Sequence, residues 1–399
     1  MKSFILVILI AVLGPSSLIA QRKSGKTYGR KAPVELSGER YKKWDDGELL
    51  WSDFRDTTSI KGVNSILKTD LWVEMEKRKS GNTRIYIPRA FAYIDRDRSN
   101  IKDAEKTQDL LRFYQAQFDL LELYRRKLQE ELNEGMSELE MENAFRHYSQ
   151  LYDEQLKNMT IETEKGENKR KLEEWEIYLV KQLRIHPDPG IPVIVPKSFG
   201  YGLNLGVGTA FPTGEISKFF TPAFQFNLGL DLAYKRAHLL LDMAIGGAKN
   251  RSDMDIVYQK GTHTTTWEKG RGTNYSQFSF ALGYGVLNTK YFALTPFVGG
   301  VFSEYSKLLD NDNDKRINVY MNDFNLLAGL NFDYKFSSLV SFVPSAWFGH
   351  REMTTSSLRT RLYVSYGKYD MYMKGVQVGF SVSYSGFVRL IKINNFVGR

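Results

Sequence analysis

The residues best suited to chemistry are few and badly spaced for it. The histidines are His147, His186, His238, His263 and His350, and no two stand four apart, the spacing that puts two imidazoles on one helical face for zinc. There is no cysteine, which excludes disulfides, thiolate nucleophiles, thiolate-bound metals and a lipid-modified cysteine. Carboxylates abound, as in the run Glu130-Glu131-Leu132-Asn133-Glu134, but an acidic run on a helix is usually a solvated face. Residue types therefore offer no catalytic, cofactor-binding or metal site. Two groups suit recognition instead. Tyr124, Arg125, Arg126 and Lys127 are consecutive and belong to the types favoured at binding hot spots, so they form a candidate docking surface, against the plainer reading of an exposed helical face. Tyr258 and Trp267, in the polar stretch Gly247 to Asn274, are candidate contacts of an exposed loop.

These residues sit on a chain with three textures. Lys2, the uncharged apolar run Phe4 to Leu13, the helix breakers Gly14-Pro15 and small residues up to Ala20 read as a signal peptide (1–20), too short to span a bilayer. A basic, Ser- and Gly-rich leader (21–40) follows. From 41 to 185 the pattern is α+β: extended segments at Thr69 to Met75 and Thr83 to Ile94, then helices over Asp103 to Asn133, Glu138 to Met159 and Asn168 to Leu183. The stretch 186–197 carries four prolines in the eleven residues His186 to Pro196, reading as a semi-rigid spacer and domain boundary.

Gly47 to Arg55 (GELLWSDFR), Leu110 to Leu128 (LLRFYQAQFDLLELYRRKL), Leu151 to Gln155 (LYDEQ) and Glu162 to Trp175 (ETEKGENKRKLEEW) together resemble an uncharacterised family of secreted domains of the HExxH zinc-metalloprotease type. The resemblance implies a zinc site on the long helix, with a Glu as general base. Aligned on Phe118-Asp119, the places of that motif hold Phe113, Tyr114 and Gln117, and the place of a possible third ligand holds Lys165. Phe cannot ligate and Gln is a poor zinc ligand. The resemblance thus implies a metal-free, non-enzymatic relative that kept the scaffold.

After Lys197 the period becomes two. Tyr201, Leu203, Leu205 and Val207 alternate with Gly202, Asn204, Gly206 and Gly208; Phe224, Phe226, Leu228 and Leu230 alternate with Gln225, Asn227, Gly229 and Asp231; Phe278, Phe280 and Leu282 alternate with Ser279, Ala281 and Gly283. One face is large and apolar, the other small or polar, which is the pattern of a membrane β-barrel rather than a sandwich. With Tyr291 to Ser303 and Leu339 to Phe348 counted as strands, about eight strands are expected over 198–387, before a C-terminal tail (388–399). Tight turns are expected at Lys235-Arg236, Asn288 to Lys290 and Lys335 to Ser337; long polar loops at Gly247 to Asn274, Glu304 to Asn322 and Gly349 to Lys374. This barrel resembles the small outer-membrane barrels of the OmpA and OmpX type. The resemblance implies that the α+β domain lies in the periplasm of a Gram-negative envelope.

About eight strands leave an interior just wide enough for its own side chains, so a solute channel is not expected. The formal charge of +9 is read as affinity for anionic envelope surfaces or as solubility, not as nucleic-acid binding, since a secreted chain has little access to it. The expectation is an α+β periplasmic domain followed by a transmembrane antiparallel barrel, with outer-membrane lipid and a periplasmic protein as partners and no cofactor. Two alternatives stay open: an anchored hydrolase with an unrecognised site, and a surface ligand-binding or transport barrel.

Overall fold

The computed structural model describes residues 40–55, 65–258, 263–310, 316–344, 349–370 and 373–394. The expected signal peptide and all of the leader except Arg40 lie outside the described residues; Arg40 pairs with Asp95 at 2.9 Å.

The N-terminal domain is α+β as expected. Strand β1 (Tyr41–Lys43) and the hairpin β2 (Thr69–Ser80) and β3 (Thr83–Asp95) precede three helices, α1 (Gln108–Asn133), α2 (Glu138–Thr163) and α3 (Lys169–Ile185). The helix starts are fixed by caps: Thr107 accepts the Leu110 amide, and Ser137 and Glu140 form a reciprocal capping box. The α2–α3 turn uses left-handed residues, and Gly166 (φ +101°) is required there because a Cβ would sit 2.6 Å from the Asp109 carbonyl oxygen. Helix α1 is central. Phe113, Phe118, Leu121 and Leu128 are buried beneath the other two helices and the hairpin. Little of its circumference is left for solvent.

The barrel strands are β4 (Val193–Pro212), β5 (Ala223–Tyr234), β6 (Ala237–Lys249), β9 (Gly272–Tyr284), β11 (Phe292–Asp310), β12 (Arg316–Ser341), β13 (Glu352–Asp370) and β14 (Met373–Asn394). Each pairs antiparallel with the next, and β14 pairs with β4, closing an eight-stranded barrel; the two-residue β10 (Leu287–Asn288) pairs with the start of β11. The strand count matches expectation, but one strand is misplaced in the sequence reading. The expected turn at Lys335 to Ser337 is a bulge inside the 26-residue β12, and of the expected strand Leu339 to Phe348 only Leu339 to Ser341 is strand, the end of β12, while 345–348 lie outside the described residues. The seventh strand is β13, lying in what reads as a polar loop. The expected spacer and tail are also shorter: β4 begins at Val193, and its first residues pair with Ile391 to Asn394 of β14.

Connections at the end away from the N-terminal domain hold the longest segment, 250–271, which folds over itself as the hairpin β7 (Met254–Tyr258) and β8 (His263–Trp267), and the short helix α4 (Ile216–Phe219). Outside the barrel, Leu205, Phe226, Leu282, Leu326 (78% exposed), Leu362 and Phe380 form an apolar band. Aromatic residues border it: Phe199, Tyr234, Tyr284, Phe292, Tyr334 and Tyr384 towards the N-terminal domain, Phe211, Phe224, Tyr320 and Tyr366 at the far end. A soluble protein does not leave so large a continuous apolar surface uncovered. Bands bordered by aromatic girdles suit a bilayer.

The domain and barrel share one sheet. β11 begins at Phe292 opposite Tyr334, so the last residues of β12 have lost that neighbour. β3 takes the free edge, pairing Thr83 to Tyr86 in parallel with Ser338 to Ser341. Beneath this seam Ile87, Val340, Phe342 and Ile391 are buried together against Ile85, Ile194 and Met353. Arg351 donates to the Gly135 carbonyl at 2.9 Å, fastening the end of α1 to the β12–β13 connection.

Candidate functional site: a filled lumen and a domain fixed to its rim

The inward face of the barrel alternates with the band outside it and is polar, so closure buries charged groups that must find partners in the lumen. They do so in layers. Nearest the N-terminal domain, the buried Arg359 meets Asp333 through two bonds (2.7 and 3.0 Å) and Asp231 at 3.1 Å, and Asp231 also meets His238 Nδ1 at 2.7 Å. Above it, Arg361 pairs with Asp242 at 2.6 Å and donates to Asn331 at 3.1 Å. Next come amides and phenols: Tyr363 bonds Gln225 and Gln277, and Gln377 bonds Tyr275, Tyr305 and Tyr369. Phe220 stacks on Tyr305 with centroids 4.0 Å apart, and Trp267 packs on Phe220 to cover the far mouth. Between the layers, a cavity of about 30 Å³, lined by Asn204, Asn227, Asp242, Arg361 and Ser381 among others, has room on the scale of a water molecule. Such an interior ties the strands together across the lumen through ion pairs and hydrogen bonds.

Most of this network was missed in the sequence because Arg359, Arg361, Tyr363 and Tyr369 all lie on β13. A signal was there. Leu358, Leu362 and Val364 alternate with Arg359, Arg361 and Tyr363, which is a barrel strand with large polar groups on its inner face.

The expected docking cluster is corrected by burial. Tyr124, Arg125 and Arg126 are each 8% exposed, and Lys127 is half-buried with its ammonium 5.4 Å from the Tyr124 ring centroid. Glu122 receives both Arg125 (2.7 Å) and Arg126 (2.8 Å); Arg125 continues to Asp188 at 2.9 Å, and Arg126 donates to the carbonyls of Leu183 and His186 at 3.1 Å. The guanidinium of Arg126 also lies over Trp44, 4.9 Å from the ring centroid. Burial by itself lowers the pKa of Arg125, but the Glu122 and Asp188 carboxylates override it and hold the cation charged. Burial raises the Asp188 carboxyl, but the bond and charge of Arg125, the charge of Arg89 and the Gly190 amide together outweigh it, leaving the group below its ordinary range. The cluster therefore clamps the proline-containing connection onto α1. A tether that could swing is replaced by one pinned at both ends, since Arg89 and Asn133 also donate to the Gly190 carbonyl.

The places of the zinc motif are core positions. Phe113 and Tyr114 are buried, and Tyr114 packs on Phe54 with centroids 5.2 Å apart. Gln117 Nε2 lies 3.4 Å from the Leu67 carbonyl, Thr69 Oγ1 and Tyr152 Oη. Burial pushes the Tyr152 phenol up to about 12, against the bonds from Thr69 and Gln117. Lys165 is exposed in the α2–α3 turn. Among the described residues no three His, Cys, Asp or Glu side chains are grouped to hold a metal. Burial raises the Asp119 carboxyl, although Trp44 Nε1 (2.7 Å) and Gln115 Nε2 (2.8 Å) donate to it. Of the two loop candidates, Trp267 is fully buried rather than presented to a ligand, because it plugs the barrel mouth. Tyr258 ends β7 opposite His263, and its side chain lies outside the described residues.

No family model matches the chain. No curated protein matches it either. Solved structures do. Ail of Yersinia pestis, in complex with the heparin analogue sucrose octasulfate, is 11% identical with a TM-score of 0.27, covering 48% of this chain and 99% of its own. Neisserial surface protein A is 11% identical (TM-score 0.26, covering 49% and 99%), and the outer membrane protein OprG of Pseudomonas aeruginosa is 12% identical (TM-score 0.26, covering 49% and 97%). About half of this chain thus matches nearly the whole of each barrel, at low scores, and the reading of the barrel rests on its own closure, apolar band and lumen.

Proposed function

We propose that this protein is an integral outer-membrane barrel that holds its N-terminal domain, fixed and non-catalytic, at the periplasmic rim as an interaction module. The observation that carries this reading is the seam: β3 completes the free edge of β12 over a shared apolar core. A domain built only to be tethered would need no such attachment. The filled lumen supports anchoring over transport. The placement of Phe113, Tyr114 and Gln117 in the core supports a scaffold without zinc chemistry. The longest connection between barrel strands, 250–271, lies at the far end and supports a periplasmic N-terminal domain, since the longer loops face outward in such barrels.

With Tyr124 to Arg126 withdrawn, the surface on offer is the outer face of α3, where Ile177, Tyr178 and Val180 are exposed. The test is photo-crosslinking in intact envelopes, using the full-length protein and an Ile177→Asp/Val180→Asp variant. The expected result is a periplasmic protein captured by the wild type and lost in the variant. Equal capture by both, or none by either, would remove the interaction reading. Planar-bilayer recordings of the wild type are expected to show no steady conductance.

A further inference from the structure

The apolar band ends, on the side of the N-terminal domain, in a regular sequence of aromatic residue then cation. Phe199 is followed towards the rim by Lys197, Tyr234 by Lys235 and Arg236, Tyr291 by Lys290, and Tyr334 by Lys335. The positions are contiguous around the rim. The Lys235 amide donates to the Ser198 carbonyl at 2.7 Å, the Gly285 amide to the Arg236 carbonyl at 2.8 Å, and the Lys335 amide to the Tyr291 carbonyl at 2.7 Å. The N-terminal domain adds to the same arc. Its β2–β3 hairpin, Lys77-Arg78-Lys79-Ser80-Gly81-Asn82-Thr83-Arg84, packs on the turn, Asn82 donating to the carbonyls of Lys290 and Lys335 at 3.0 Å each. Arg84 is exposed beside Ser337.

No acid offsets the barrel's share of these charges locally; in the hairpin, Arg78 pairs with Glu76 at 2.7 Å. The segments 197–199, 234–238, 284–292 and 334–337 contain no Asp or Glu. The inward carboxylates Asp231 and Asp333 are bound by Arg359 inside the lumen. Among the described residues, no ion pair engages Lys197, Lys235, Arg236 or Lys290. Cations just beyond an aromatic girdle stand where lipid phosphates lie, with stems long enough to follow the apolar surface.

We propose that this collar binds the phosphates of anionic phospholipids in the leaflet facing the N-terminal domain, seating that domain against the membrane through its basic hairpin. The proposal rests on the membrane reading of the barrel. It is favoured over an acidic protein partner because cations from two separate parts of the chain meet along the edge of the apolar band.

Full-length protein in neutral detergent would be titrated with phosphatidylglycerol or phosphatidylcholine, and retained lipid counted by native mass spectrometry. The expected result is retention of phosphatidylglycerol at lower lipid concentration, with the preference falling about fivefold per cation removed in Arg84→Gln/Arg236→Gln/Lys290→Gln. Equal retention of the two lipids, or an undiminished preference in the variant, would overturn the collar. So would full displacement by sn-glycerol 3-phosphate, which would assign the cations to a soluble phosphate. Each sample would also be run unboiled and boiled on a denaturing gel. A heat-modifiable protein without lipid preference removes the collar alone; a protein that is not heat-modifiable removes the membrane reading and the collar with it. Should the triple variant lose its folded band, Lys197→Gln/Lys235→Gln carries the same test.

Discussion

Replacing Arg359 by Met tests the central claim about the lumen. Arg359 is 7% exposed and the two carboxylates it joins, Asp231 and Asp333, are 1% and 6% exposed. Met keeps most of the side-chain length and removes the charge, so both acids are left buried without the cation that holds three of their hydrogen bonds. Breaking a buried ion pair from one side costs about 3–5 kcal/mol, because what remains is an uncompensated charge. Asp231 keeps its bond to His238, which places the expected loss at the lower end of that range. With guanidinium slopes of roughly 2–6 kcal/mol per molar, the unfolding midpoint should fall by about 0.5–2 M. The assay is the fraction of heat-modifiable band against denaturant, for full-length protein folded in lipid vesicles. The partner measurement is Asp231→Asn/Arg359→Met/Asp333→Asn, which removes all three charges and should recover much of the loss, since an apolar or neutral replacement of a whole buried triad is often no worse than the triad. If Arg359→Met matched the wild type, the lumen would not depend on charge compensation, and the account of a sealed, self-stabilised barrel would fail.

Three further outcomes follow from the N-terminal domain and its seam. Phe342→Ala opens a cavity in the core shared by β3, β12 and β14 and should cost about 3–5 kcal/mol there, read as faster proteolysis in the connection 186–192 while the barrel band stays intact. Gln129 accepts from the Ala90 amide at 2.8 Å and donates to the Pro88 carbonyl at 3.1 Å, on the stretch of β3 edge between its pairings with β12 and β1; Gln129→Leu orphans both groups and should lower domain stability by about 2–6 kcal/mol, measured by thermal melting followed through the tryptophans. Asp119 has its carboxyl raised by burial, so the folded state binds its proton more tightly than the unfolded chain does; its contribution is complete below the unfolded value of about 3.9 and is lost as pH rises through the folded value. Asp119→Asn should therefore raise the melting temperature at pH 7 and change it little at pH 4, and a variant equally or more destabilised at pH 7 would contradict the sign.

The sequence by itself determined the architecture. A period of two with a large apolar face leaves only an outward-facing band as a home for Leu205, Phe226 and Leu326, and helical spacing places α1 and α2 within a few residues. It failed wherever exposure depends on neighbours from other elements. Tyr124-Arg125-Arg126 reads as a surface because its composition is polar, but α1 is enclosed by α2, α3 and the hairpin, so the same residues became an internal clamp. Trp267 reads as a loop contact because its flanks are polar, yet the loop folds back and uses it as a stopper over Phe220. β13 was hidden for a related reason: its inner face carries arginines and tyrosines, which lower the local hydropathy to that of a loop, and only closure shows that Asp231, Asp242 and Asp333 wait opposite them. The seam was beyond any local pattern. That β3 pairs with β12 follows from where β11 happens to begin, a fact of three-dimensional register that no spacing along the chain encodes.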